Sequence, residues 1–81
     1  MRRKRGIHVY KYYLMWFGDG SDLWVWRGNR KGFVEVSLTT KKVHGPFSYD
    51  GDPTVCATKL TPKEGRGLLQ AFGIDFTSTK K

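Results

Sequence analysis

Residues 7–17 (IHVYKYYLMWF) form a run of aromatic, β-branched and aliphatic side chains without Gly or Pro, which predicts a strand. Gly18, Asp19, Gly20, Ser21 and Asp22 then make a turn cluster, because Gly and Asp tolerate the positive φ that tight turns need. Residues 23–27 (LWVWR) read as a second strand, residues 28–32 (GNRKG) as a second turn, and residues 33–38 (FVEVSL) as a third strand. Strands joined by short turns pair antiparallel, so this part of the chain predicts a meander.

The pattern then becomes less regular. Residues 39–42 (TTKK) fit a turn or a continued strand, and residues 43–44 fit a short strand that Gly45 and Pro46 should interrupt. Residues 49–53 (YDGDP) read as another turn and residues 54–60 (TVCATKL) as a further strand. One helix is predicted over 62–72. Thr61 stands at its N-cap, Pro62 at its first position and Glu64 two residues later, which is a capping box. Leu68, Leu69 and Phe72 form its apolar stripe, and Gly73 followed by Ile74 gives a Schellman-type stop. Gly65 and Gly67 weaken the helix, which points to close packing on the sheet or to the approach of a partner backbone.

Alternate residues of a strand point to opposite faces. In the first strand Ile7, Val9, Lys11, Tyr13, Met15 and Phe17 oppose His8, Tyr10, Tyr12, Leu14 and Trp16; in the second, Leu23 and Val25 oppose Trp24 and Trp26. Both faces are apolar or aromatic, whereas a sheet wetted on one side alternates apolar with polar. One short helix cannot cover both. The second face must be closed by barrel curvature, paired with another subunit or left open to a ligand. Tyr10, Tyr12, Trp16, Trp24 and Trp26 are taken together as that face. Such rings serve as buried core, as a stacking platform for nucleic-acid bases, or as a protein-binding surface.

The whole chain of 81 residues carries 15 Lys and Arg against 7 Asp and Glu, and 12 of its residues are aromatic, which excludes a disordered chain. One domain is the most this length supports, with little room for a deep catalytic cleft. Arg2, Arg3, Lys4 and Arg5 supply four of the eight excess positive charges and Lys80 and Lys81 two, leaving +2 for residues 6–79. The expected organisation is a flexible basic arm (1–6), one compact β-rich domain (7–76) and a basic tail (77–81). A basic arm binds phosphate by counterion release.

Candidate chemistry is sparse. Cys56 is the single cysteine, so no internal disulfide forms, and its place in the strand 54–60 predicts a buried, inert thiol. His8 and His44 stand in no metal-ligand spacing. Asp19 with Asp22, and Asp50 with Asp52, fall in Gly-containing turns and read as caps on backbone amides. The segment 63–67 (KEGRG), with Lys63, Gly65, Arg66 and Gly67, gives a helix N-terminus a weak phosphate signal. No nucleophile, base and oxyanion hole assemble, so no enzyme, metal or cofactor is expected. No apolar run reaches the ~20 residues of a membrane span, and the basic N-terminus lacks the apolar stretch of an export signal. The reading is an intracellular protein, cytoplasmic or nucleoid/nuclear, with no membrane partner.

These observations predict an α+β, mostly β protein: an antiparallel four- to five-stranded meander or small open barrel with one C-terminal helix. In architecture alone this is similar to small SH3-like chromatin proteins and to barrel-type nucleic-acid binders (OB-like), and no residue role follows from that. The first functional expectation is non-catalytic binding of DNA or RNA. Arg2, Arg3, Lys4 and Arg5, with Lys11, Arg27, Arg30, Lys31, Lys41 and Lys42 on the rim, would hold phosphates, while Tyr12, Trp24 and Trp26 would stack on bases. The alternative is a small protein-binding module, an inhibitor or accessory subunit of viral type acting on a host enzyme through the same aromatic face. Homodimerisation through that face is compatible with both.

Overall fold

The computed structural model describes residues 10–74, so the arm, residues 7–9 of the first expected strand and the C-terminal tail lie outside the described residues. Five strands, β1 (Lys11–Phe17), β2 (Asp22–Asn29), β3 (Gly32–Ser37), β4 (Val43–Phe47) and β5 (Ala57–Leu60), precede one helix, α1 (Pro62–Ala71). They form an open, antiparallel sheet in the order β4-β3-β2-β1-β5. The expected mostly-β architecture with a C-terminal helix is therefore present.

Local chemistry fixes the turns. Between β1 and β2, Asp19 Oδ1 accepts from the Ser21 amide at 3.1 Å, and Gly18 and Gly20 take φ of 64° and 95°. The β2–β3 turn is tighter than expected, only Arg30 and Lys31, with Asn29 Oδ1 accepting from the Lys31 amide at 2.9 Å. Between β3 and β4, Ser37 Oγ accepts from the amides of Thr39 and Thr40. Strand β4 does not stop at Gly45-Pro46. It is an edge strand, where a proline is tolerated, and its register against β3 shifts at that point.

The helix follows its sequence signals closely. Thr61 Oγ1 accepts from the Glu64 amide at 3.1 Å, and Glu64 Oε1 accepts from the Thr61 amide at 2.9 Å. At the other end Gly73 takes φ 75°, its amide donating to the Gln70 carbonyl and the Ile74 amide to the Leu69 carbonyl. This is the Schellman closure. The apolar stripe is corrected in one place: Leu69 is buried but Phe72 is exposed, and Ile74 fills the core instead.

Residues directly opposite across a ladder share a face. Tyr12 faces Arg27, Leu14 faces Val25 and Trp16 faces Leu23, whereas Tyr13 faces Trp26 and Met15 faces Trp24. The five aromatics read from the sequence as one face therefore divide. Tyr10, Tyr12 and Trp16 fall on the side that α1 covers, and Trp24 and Trp26 on the other. The helix side holds the core, built from Tyr12, Val25, Val36, Leu38, Leu69 and Ile74.

The other side is closed by a device absent from the sequence reading. Strands β4 and β5 occupy opposite edges, so residues 48–56 must cross the sheet to join them. They cross over the side away from α1, where Asp52 bonds to Lys11 and Tyr13 and the Tyr49 ring lies 6.4 Å from that of Trp26. The strand expected over 54–60 accordingly shortens to Ala57–Leu60. Cys56, expected to be buried within it, is exposed at φ 53°, with its carbonyl accepting from the Trp16 amide at 3.0 Å. It ends the crossing segment, outside the regular alternation of β5.

Candidate anion-binding face

Clefts on the described surface differ in charge from one face to the other. Under the crossing segment, a cleft of about 410 Å³ is lined by Glu35, Asp50 and Asp52 above Met15, Trp26 and Phe33, with no Lys or Arg. On the helix side two clefts meet at Arg27. One, of about 320 Å³, has Tyr10, Asn29, Lys31 and Pro46 in its walls. The other, of about 600 Å³, has Tyr12, Arg66, Gln70 and Ile74. Among the described residues, no carboxylate lines either of them.

Arg27 is the centre of this arrangement. Strand β2 directs it to the helix side opposite Tyr12, and its guanidinium carbon stands 4.1 Å from the centroid of the Tyr10 ring. A guanidinium over an aromatic face is held by the ring quadrupole. Arg30 and Lys31 sit beside it in the β2–β3 turn, at the end where β1 begins. Both ends of the described chain reach this region: Tyr10 lines the smaller cleft and Ile74 the larger. The sequence beyond them carries Arg2, Arg3, Lys4 and Arg5 on one side and Lys80 and Lys81 on the other.

The remaining residues of the expected rim are placed elsewhere. Lys41 and Lys42 are exposed in the β3–β4 turn, at the opposite end of a six-residue strand, about 17 Å away. Lys11 lies on the crossing-segment side, its Nζ 2.9 and 3.0 Å from the two carboxylate oxygens of Asp52. Asp52 also accepts from Tyr13 at 2.8 Å and from Tyr49 at 2.7 Å. Hydrogen bonds from Tyr49, then Lys11 and Tyr13, lower its pKa to about 2. Donating to the same carboxylate raises the pKa of both phenols and of the Lys11 ammonium. Asp52, read from its turn as an amide cap, is thus a clasp that ties the crossing segment to β1, and Lys11 is neutralised within it.

The stacking residues divide as the register dictates. Tyr12 is 4 % exposed beneath α1 and Trp26 is 2 % exposed between Phe33 and Tyr13, so neither offers a ring face to a base. Trp24 is half-buried between Phe17 and His44, with its Nε1 donating to Asp22 at 2.9 Å. It belongs to the side that carries the carboxylates. At the helix N-terminus the capping box occupies the Glu64 amide and holds a carboxylate at the Thr61 amide, which displaces the phosphate signal of that segment.

Asn29 and Gln70 are the residues that sequence reasoning left out of the site, while Tyr10 was read only as part of the aromatic face and Arg66 only in the helix N-terminal signal. Tyr10 and Arg27 carried a signal, because an aromatic and a cation one register step apart on paired strands approach each other. Arg66 carried only that weak signal, since its meeting with Arg27 depends on where α1 lies. Among the described residues no group of three His, Cys, Asp or Glu side chains is placed to hold a metal, and no helix is long and apolar enough to cross a membrane. The chain matches no protein-family model, and comparisons with curated proteins and with solved structures likewise find no match.

Proposed function

We propose that the protein is a non-catalytic nucleic-acid-binding protein that uses its helix side, with Arg27, Arg30, Lys31 and Arg66 holding phosphates. The observation that carries this reading is Arg27, lying over Tyr10 where two clefts meet that hold Lys31 and Arg66 in their walls. Phosphate affinity comes from clustered cations that can approach the backbone, and Arg27, Lys31 and Arg66 share these two clefts. The test is fluorescence anisotropy with labelled DNA and RNA oligonucleotides at about 50 and 200 mM salt. Binding that weakens steeply with salt supports the reading, and no binding at low salt overturns it.

A second reading, a small protein-binding module acting as an inhibitor or accessory subunit, has its own support. Phe17 is 46 % and Val55 78 % exposed, and both flank Trp24 or the cleft on the carboxylate side. Exposed apolar side chains beside an aromatic are what interface anchors are made of. Capture of a partner that is lost in Phe17→Ala, with nucleic-acid binding absent, would favour it.

A further inference from the structure

We infer that the smaller helix-side cleft receives an unpaired nucleobase, so that the ligand is single-stranded; this rests on the nucleic-acid reading above and specifies its substrate. The cleft, at about 320 Å³, is at the lower end of the size of small-ligand sites. One wall is the Tyr10 ring with the Arg27 guanidinium over it, two planar groups in contact. Planar aromatic and guanidinium walls are what splayed-out bases stack on, and every base has a π face to offer them. At the mouth stand Lys31, which supplies a cation for the phosphate, and Asn29, whose Oδ1 is used by the Lys31 amide while its NH₂ remains as a donor.

The same geometry disfavours a duplex. Paired bases are stacked on one another and expose only their edges, and those edges are reached by a helix or ribbon that enters a groove about 12 Å wide. Helix α1 instead lies on the sheet, with Leu69 in the core and Gly65 against Tyr12. Arg27 and Tyr10 form the wall of a concavity, and a splayed base has a free face to lay against it where a paired, stacked base has none.

The experiment compares three probes of one length: a single-stranded oligonucleotide, the same strand in a blunt duplex, and a strand whose bases are replaced by abasic units. The intact protein should bind the single strand at least tenfold more tightly than either of the others. Tyr10→Ala should weaken single-strand binding about 5- to 150-fold, the range for loss of one stacked base, with the salt slope unchanged, and Tyr10→Phe should restore it. Duplex or abasic binding equal to that of the single strand, or a Tyr10→Ala variant of full affinity, overturns the inference while leaving phosphate binding in place. Failure of all three probes at low salt overturns the nucleic-acid reading itself. Circular dichroism of Tyr10→Ala separates a lost contact from a lost fold.

Discussion

Gly65 lies directly against the ring of Tyr12, so closely that a β-carbon at position 65 would overlap the ring carbons. The contact explains why a capped helix tolerates a glycine in its interior: α1 approaches β1 at that point, and the buried tyrosine fills the space where a side chain would stand. Gly67, two residues on, has nothing within 4 Å of the corresponding position. The two glycines therefore respond in opposite directions. Gly65→Ala should destabilise the protein by about 1–3 kcal/mol through overpacking. Gly67→Ala should stabilise it by about 0.5–1 kcal/mol by removing helix-interior glycine entropy. Urea denaturation of the two variants checks the pair, and a shift of the same sign in both would contradict the packing.

The Asp52 clasp gives a pH signature. Its carboxyl titrates at about 2 in the fold and at about 3.9 in an unfolded chain. A depressed folded pKa means that the contribution is fully present above pH 4 and is lost as pH falls from about 4 towards 2. Asp52→Asn should cost about 1–2 kcal/mol at neutral pH, at the modest end for charged hydrogen bonds because its partners are part-exposed. The stability curves of the two proteins should converge near pH 2. A constant gap across that range would place the effect elsewhere than on the carboxylate charge.

Much of the fold was legible because its determinants are local. The capping box of Thr61 and Glu64, the stop at Gly73 and the turn at Asp19 each act within a few residues, and each forms as the sequence predicts. Register is not local. Whether Tyr12 shares a face with Trp26 or with Arg27 depends on the turn length between β1 and β2, and one residue of slip exchanges every side chain between faces. That is why Tyr12 and Trp26 read as a platform and are found on opposite sides of the sheet. The clasp was hidden for a related reason: Lys11 and Asp52 are 41 residues apart and meet only because β4 and β5 occupy opposite edges. Of the candidate site, the cations of β2 and its turn were legible, while the separation of Lys11, Lys41 and Lys42 from them was a property of topology.

Trp26 depends on the absence of a side chain at its neighbour. A β-carbon on Gly28 would come within 2.9 Å of the Trp26 ring and 2.5 Å of Phe33 Cβ, so the indole occupies the space the glycine leaves while stacking on Phe33 at 5.3 Å. Gly28→Ala should expel the ring from its place and cost about 1–3 kcal/mol. Near-ultraviolet circular dichroism, which reports the fixed indole, should lose intensity in the variant. A spectrum and stability equal to the parent would show that the pocket around Trp26 repacks freely.

The proposed binding face makes a prediction about charge that the expected rim does not. Each phosphate contact contributes about 0.7–0.9 to the slope of log affinity against log salt. Replacing Arg27, Lys31 and Arg66 together by Gln should lower that slope by about 2–3, because these cations share the helix-side clefts. Replacing Lys41 and Lys42 by Gln should leave it nearly unchanged, since both stand at the far end of β3. Changing Arg2, Arg3, Lys4 and Arg5 to Ala tests the arm in the same assay, and an unchanged slope there would remove the arm from the site. Tryptophan emission supplies the spatial check. Trp26 is 2 % exposed, Trp24 lies on the carboxylate side, and Trp16, though on the helix side, stands toward the far end of β1 from the Tyr12–Arg27 pair, so binding should proceed with little quenching. Strong quenching, together with full sensitivity to Lys41 and Lys42, would move the ligand to the opposite face of the sheet.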